Sequence, residues 1–528
     1  MKSGSFGLTA PRLGSLLAGA LLGLLTLQAA FYGGMVVQRA RSDRNTLYPE
    51  WFLAERARAV ALGQPLFPPN PATWPHQVAA YGPLTFATVG WVVRWTGLPS
   101  DRSKQLVRFY HTGRLFSLIG LVASLAALAS LAGAFGLVGW ERLLPVLLFF
   151  SAPAPLRFAY TYRADMIVLA LVLWAWRAAL SAVASRDRSL SRRASGMALG
   201  AAGLMVVAIL FKQPAAFSAV VCAAWLLTRN PKRTFLEYCL AGTALGVAVG
   251  GSLCFMTQGL WWTHNFTALT APLLPRLAYA HLWHHFWLAR DGLLNGLPLV
   301  GGVAALGALA AARWKGCAQG VGMGAWAFVF SLAVAECGAM RSGSDINYYL
   351  EPYAWGTLLT AWAGAHLART IRSATSWSPG SVTAAILLTA LASHYAYHDR
   401  VLIMRRDDLL AVPRVKTEAE ALRRLHSISG EVFFENGELW WWTEAAPTLT
   451  DPAFYYMQVL AGKWSREELL RKVEREGFRY VVLNNDVNRP RGLTYGFPFL
   501  GQDLLSAVQC HYVLDWRLDG IWVYRPSQ

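Results

Sequence analysis

Charge is scarce in this chain. Only 15% of its 528 residues are Asp, Glu, Lys or Arg, against roughly a quarter in soluble domains. Hydrophobic residues make up 55% and the mean hydropathy is +0.33, which excludes an ordinary soluble enzyme and a disordered chain. Cysteine is thin as well: there are six, with no Cys-x-x-Cys pair. Cys222, Cys239, Cys254, Cys317 and Cys337 fall in or beside apolar runs and Cys510 lies near the C-terminus, so neither a zinc site nor a disulfide framework is indicated. Acidic residues are scarcest where apolar runs are densest. Residues 1–399 hold 31 basic and 13 acidic groups, whereas 17 of each follow from Arg400 onward. The net charge of +18 is therefore concentrated in loops between apolar runs, as membrane topology requires, and no base-and-aromatic patch points to nucleic acid as a partner. A G-x-x-x-x-G-K-[ST] phosphate loop is also missing, which argues against an ATP-driven pump.

What the chain does have is long apolar segments. They fall at 13–37, 114–136, 142–160, 166–185, 194–212, 214–228, 235–257, 292–312, 318–339, 350–368 and 380–397. Most approach the ~20 residues that a helix needs to cross hydrocarbon, so the sequence predicts an α-helical polytopic membrane protein with about eleven transmembrane helices. The first run is too long for a signal-peptide core and reads as a retained span. Arg186, Arg188, Arg192 and Arg193, then Arg229, Lys232 and Arg233, then Arg313 and Lys315, then Arg369 and Arg372 all fall in loops of one parity. Those loops, and the N-terminus with them, are expected on the cytoplasmic side. Tyr81–Trp95 is apolar but short and carries Gly82, Pro83 and Arg94, so it is read as an in-plane or re-entrant helix within one long outer loop, 38–113.

The chain changes character near 399. Ser465–Glu476 reads as an amphipathic helix opened by a Ser-x-x-Glu capping box, and Phe478–Leu483 and Gly520–Tyr524 read as strands. The predicted organisation is a membrane domain, 1–398, followed by a small soluble C-terminal α/β domain, 399–528, on the outer side.

Nine of the thirteen acids before Arg400 map to the outer half, Asp43, Glu50, Asp165, Asp345 and Glu351 among them. Ionisable groups at membrane depth mark functional pathways by default. Four clusters converge there: Asp43–Glu50 with the following Gly63–Phe67, Tyr162–Asp165, Phe211–Pro214, and Ser344–Glu351. A Lys at an outer helix end, as at Lys212, gains nothing from the topology rule. An anionic ligand such as a phosphate would account for it, and so would a snorkelling side chain.

The first outer loop, with its acid, then GQPLF at Gly63–Phe67 and YGPL at Tyr81–Leu84, resembles the polyprenyl-phosphate-sugar-dependent glycosyltransferases of the GT-C class. Their relatives include lipid A aminoarabinose transferases, protein O-mannosyltransferases and the catalytic subunit of oligosaccharyltransferase. Arg163-Ala164-Asp165 is similar to the R-x-D or D-x-E element of their second outer loop. The resemblance covers the membrane part and implies a GT-C-like catalytic domain whose loop acid is the catalytic base. Glu50, thirteen residues before Gly63, stands about where the family has that acid and is preferred to Asp43. The adjacent acid pair of many members is missing, so dependence on a divalent metal is left open.

The implied reaction is transfer of a sugar, with inversion, from a polyprenyl-phosphate donor to a lipid, glycan or protein acceptor at the periplasmic face of a bacterial inner membrane. Such chemistry needs a carboxylate to take the acceptor's proton and cations to stabilise the departing phosphate. Glu50, Asp165 or Asp43 would supply the first. Arg163, Lys212, Gln213 and Arg341 would bind the donor phosphate, and Tyr81, Asp345, Asn347, Tyr348 and Glu351 the sugar or acceptor. His281, His284 and His285 share one helical face and are weak candidates to hold a metal, since Trp283 and Trp287 beside them make an interfacial aromatic belt the simpler reading. Two other functions compete: a ligase or polymerase of lipid-linked glycans using a diphosphate donor, and a lipid-glycan transporter or flippase. The gathering of charge at one face disfavours a transporter, which places its charges near the midplane.

Overall fold

The computed structural model describes residues 32–43, 50–69, 71–72, 76–187, 191–229, 232–267, 292–311, 319–340, 346–374, 415–445, 452–484, 486–488, 501–518 and 520–527, with a few isolated positions besides. Most of the first and all of the last predicted span, the 398/399 boundary, Arg341, Asp345 and the three histidines His281, His284 and His285 lie outside the described residues.

The stretch expected as a long outer loop is largely helical. It holds α1 (Glu50–Ala61), α2 (Pro83–Thr96) and the start of α3 (Arg102–Ala134). Here α3 corrects the sequence reading, which opened that span at 114. Asp101 caps the helix by accepting the Lys104 N–H at 3.1 Å, so helix begins twelve residues earlier. Its 33 residues extend about 50 Å, well beyond the ~30 Å of hydrocarbon. The extra turns, 102–113, carry Lys104 and Arg108 ahead of the apolar stretch.

The run expected as one span at 142–160 is broken into α4 (Leu144–Ser151) and α5 (Pro153–Ala159), with Ala152 extended between them. Pro153 and Pro155 lack the N–H groups that a continuous helix would use. Then follow α6 (Asp165–Asp187), α7 (Ser191–Phe211), α8 (Ala215–Leu227) and α9 (Arg233–Met256). Further along come α10 (Gly292–Ala311), α11 (Gln319–Ala339) and α12 (Leu350–Ala374). Among the described residues five helices, α3, α6, α7, α9 and α11, are long and apolar enough to cross a membrane, whereas α8 is shorter. The chain is a multi-pass membrane protein. Its bundle packs α3 on α6, α6 on α7 and α10 on α12 around Trp176, which meets Trp225 at 6.0 Å and Trp355 at 5.7 Å between ring centroids.

Beyond the bundle, α13 (Val415–His426) leads into β1 (Val432–Phe434). Next come α14 (Pro452–Leu460), α15 (Glu467–Glu474), β2 (Tyr480–Leu483), α16 (Gln502–His511), β3 (Tyr512–Leu518) and β4 (Ile521–Pro526). The sheet order is β1-β2-β4-β3, with only the β1–β2 pair parallel. Alternation sorts its faces. Phe433, Val481, Leu483 and Tyr524 pack on α14–α16, while Val432, Phe434, Val482 and Val523 join Trp51, Phe52, Phe86, Phe109 and Tyr110 of the first three helices in one core. The C-terminal sheet and the N-terminal loop helices are thus two sides of a single apolar layer.

Candidate active site

Asp165 opens α6, where the helix dipole favours a carboxylate. The segment before it is tightly turned: the Arg163 N–H donates to the Thr161 carbonyl at 2.9 Å. This turn folds Arg163 back so that its Nε donates to Asp165 Oδ2 at 2.8 Å. From the end of α7, Lys212 Nζ donates to Asp165 Oδ1 at 2.5 Å. From the 3-10 turn Ile346–Tyr349, Asn347 Nδ2 donates to the same oxygen at 2.7 Å. Three segments far apart in sequence therefore meet on one buried carboxylate. Arg163 and Asn347 are buried with it, and Lys212 is 13% exposed.

Pro214 explains why Lys212 stands there. α7 stops at Phe211 and α8 begins only at Ala215, which leaves the lysine at a helix C-terminus, the favourable end for a cation. Two aromatic rings flank its ammonium, Tyr348 at 5.5 Å and Tyr81 at 5.8 Å from the centroids. The Tyr81–Leu84 segment is held against the same helix end: the Gly82 N–H and the Thr85 hydroxyl both donate to the Phe211 carbonyl, at 3.1 and 2.7 Å. A Cβ on Gly82 would lie 2.1 Å from the Leu210 carbonyl oxygen, so only glycine fits this approach.

Beside this cluster opens a small, half-open cavity of about 80 Å³. Asp165, Lys212, Asn347 and Tyr348 line one part of it, and Val168, Leu169, Val172, Val334 and Leu350 form apolar walls. Glu351 and Ser218 also line it, with the Ser218 hydroxyl donating to Glu351 Oε2 at 2.5 Å and the Trp355 indole N–H reaching Glu351 Oε1 at 3.4 Å. Among the described residues Asn347 Oδ1 is buried with no hydrogen-bond partner, an acceptor at the cavity wall. The arrangement can bind an anion through Lys212, with the charge of Arg163 behind Asp165, seat an apolar group against its walls, and offer a carboxylate to a hydroxyl.

The other candidates are placed differently. Glu50, fully buried at the start of α1, is gripped by Arg114: Nε donates to Oε1 and Nη2 to Oε2, both at 2.8 Å. Oε1 also accepts the Tyr162 N–H at 2.6 Å. Glu50 does not line the cavity. Asp43 is exposed and pairs with His111 at 3.2 Å. Gln213 turns away and donates to Asn265 Oδ1. Among the described residues no group of three His, Cys, Asp or Glu side chains could hold a metal ion. Sequence reading missed Ser218 and Arg114. Neither belongs to a motif, and Arg114 stands at the very start of the 114–136 apolar run.

No family model matches the chain, and no curated protein matches it. Solved structures do. The chain is similar to ArnT from Cupriavidus metallidurans bound to undecaprenyl phosphate, with 11% identity, a TM-score of 0.54 and 94% of this chain and 98% of that one covered. The apo state of the same ArnT gives 12% identity, a TM-score of 0.54 and the same coverage. An archaeal oligosaccharyltransferase, AglB from Archaeoglobus fulgidus in complex with an inhibitory peptide and a dolichol-phosphate, gives 12% identity, a TM-score of 0.53, and covers 96% of this chain and 74% of its own. At these identities the likeness is one of fold: the chain has the fold shared by ArnT and AglB.

Proposed function

We propose that the protein is a membrane glycosyltransferase that moves a sugar from a polyprenyl-phosphate donor to a lipid, glycan or protein acceptor, with inversion, at the periplasmic face of a bacterial inner membrane. One observation carries the reading: an apolar-walled cavity with Lys212 and Asp165 at its polar part, in a chain with the fold of two proteins solved with undecaprenyl phosphate and dolichol-phosphate. In the reaction the acceptor oxygen attacks the anomeric carbon. The bond from that carbon to the phosphate oxygen breaks with its electron pair leaving on the phosphate, and the acceptor's proton goes to a carboxylate. Of Glu50, Asp165 and Asp43, Asp165 takes that role because it alone lines the cavity. An ammonium has three donors, so Lys212 can serve Asp165 and a phosphate oxygen together, and Arg163 adds charge beside it. Asn347, Tyr348, Tyr81 and Glu351 are assigned to the sugar or acceptor.

The parity of the basic loops supports eleven crossings, a cytoplasmic N-terminus and an external C-terminal α/β region. The test is purified protein in detergent with a panel of polyprenyl-phosphate sugars and an envelope lipid and glycan extract. Release of polyprenyl phosphate that needs the acceptor is expected. Lys212→Met should weaken donor use at least about tenfold, the usual weight of a charge-assisted hydrogen bond. Donor use unchanged in a folded Lys212→Met protein would remove the phosphate from this site.

A further inference from the structure

With the proton-accepting role at Asp165, the second buried acid needs its own account. We propose that Glu50 and Arg114 are positioning residues: they fix the Thr161–Asp165 turn and tie it, through Tyr110 and Glu438, to the C-terminal region. This rests on the reading of Asp165 as the acid of the site.

Three neighbouring positions of α3 hold that turn. Gly113 leaves room for the Tyr162 ring, whose atoms lie 2.1 Å from where a Cβ would be. Arg114 holds Glu50 bidentately, and Glu50 accepts the Tyr162 N–H. Ser117 Oγ lies 2.6 Å from the Thr161 carbonyl and 2.9 Å from that of Arg163. The backbone of residues 161–163 is therefore fixed from one helix face, and Arg163 and Asp165 project from it. On the far side, the Arg114 guanidinium stacks 4.9 Å over the Tyr110 ring, and the Tyr110 hydroxyl donates to Glu438 Oε1 at 3.0 Å. Glu438 belongs to the 3-10 turn Gly437–Trp442 that follows β1. A chain of contacts, buried from Tyr110 inward, thus runs from the C-terminal region to the cavity wall. Its planar guanidinium fork makes both bonds to Glu50, which a lysine's point charge cannot do. A shift of about 1 Å in a catalytic group is enough to cost about a hundredfold in rate, so a brace at this turn has functional weight.

Undecaprenyl phosphate binding to the full-length protein in detergent, read beside the thermal melt, tests the proposal. Tyr110→Phe keeps the ring and removes the bond to Glu438, and Ser117→Ala removes one hold on the turn. Each should weaken binding about three- to tenfold in a protein that still folds, with the melt lowered by about a few degrees at most. Glu50→Gln and Arg114→Gln should weaken it too, and the double variant should be no worse than the weaker-binding single one. A base role for Glu50 makes the opposite forecast: Glu50→Gln binds the lipid phosphate like wild type and loses only turnover. Wild-type affinity in Tyr110→Phe, Ser117→Ala and any folded Glu50→Gln would overturn the proposal, provided wild type binds and Lys212→Met does not. If wild type itself fails to bind undecaprenyl phosphate, the donor reading falls first and the brace falls with it.

Discussion

Glu50 and Asp165 are both buried acids, both bonded to an arginine, and both on the first turn of a helix. They differ in access. Asp165 shares its oxygens with a lysine and an asparagine at a cavity wall. Glu50 faces an arginine that is itself fully buried, so the pair sits in the core between α1 and α3. A closed pair of this kind is dismantled only at a cost of about 3–5 kcal/mol, because removing one partner strands the other charge. Burial of a charge marks importance in both places, but only open volume beside the carboxylate lets it meet a substrate.

The comparison makes its largest forecast at Asp165. Asp165→Asn keeps the shape of the side chain but cannot take the acceptor's proton, and it leaves Arg163 and Lys212 without their shared counter-charge. Transfer should fall by at least about a hundredfold, the scale of a lost general base. Glu50→Gln should show the reverse balance, with a smaller loss of rate and a larger drop in melting temperature. Rates and melts measured on the two variants side by side decide it. A folded Asp165→Asn protein with near wild-type transfer would end the assignment.

Why the two acids look alike in sequence follows from what sequence exposes. Apolar period and length make the spans legible, so α6, α7, α9 and α11 fall within a few residues of the predicted runs. The strands of the C-terminal region were legible in the same way for β2 and β4, from their β-branched and aromatic residues. Polar residues that cluster at one membrane face announce the site, and Asp165, Lys212 and Asn347 do meet. Pairing is not legible. Nothing local in Arg114 says that it reaches back to Glu50, and the spacing of Glu50 from Gly63 carries no information about which cavity, if any, it faces. The early start of α3 rests on one cap, Asp101, and the split at Ala152 on two prolines, local signals that an averaged hydropathy window hides.

A smaller effect is expected from His264, which joins the loop helices to the segment after α9. Its Nδ1 accepts the Ala79 N–H at 3.2 Å and its Nε2 lies 2.8 Å from the Pro68 carbonyl, a pattern that requires the neutral ring. Burial lowers its pKa to about 4, with Arg56 adding to the effect. Because the folded pKa is the lower one, the fold loses stability as pH falls from the unfolded value, near 6.5, toward 4. The loss is about 2 kcal/mol at pH 5. The melting temperature of wild type should drop between pH 7 and pH 5, and His264→Gln should flatten that slope. An equal slope in both proteins would place the acid sensitivity elsewhere, with His76, whose pKa burial also lowers, the next group to test.

The smallest effect belongs to Asp43, and it sharpens the comparison from the exposed end. Asp43 shares the first loop with Glu50 and is the alternative base by sequence position alone. Its side chain is 72% exposed and meets the half-exposed ring of His111. A contact so open to water contributes little. Neither burial nor a cavity wall gives the carboxylate the fixed geometry that proton transfer requires. Asp43→Asn should therefore leave transfer within about twofold of wild type and the melt unchanged, as surface substitutions usually do. A hundredfold loss in Asp43→Asn would mean that this segment of the loop moves onto the cavity when substrate binds. The acid chosen by access in the resting fold would then no longer be the acid that reacts.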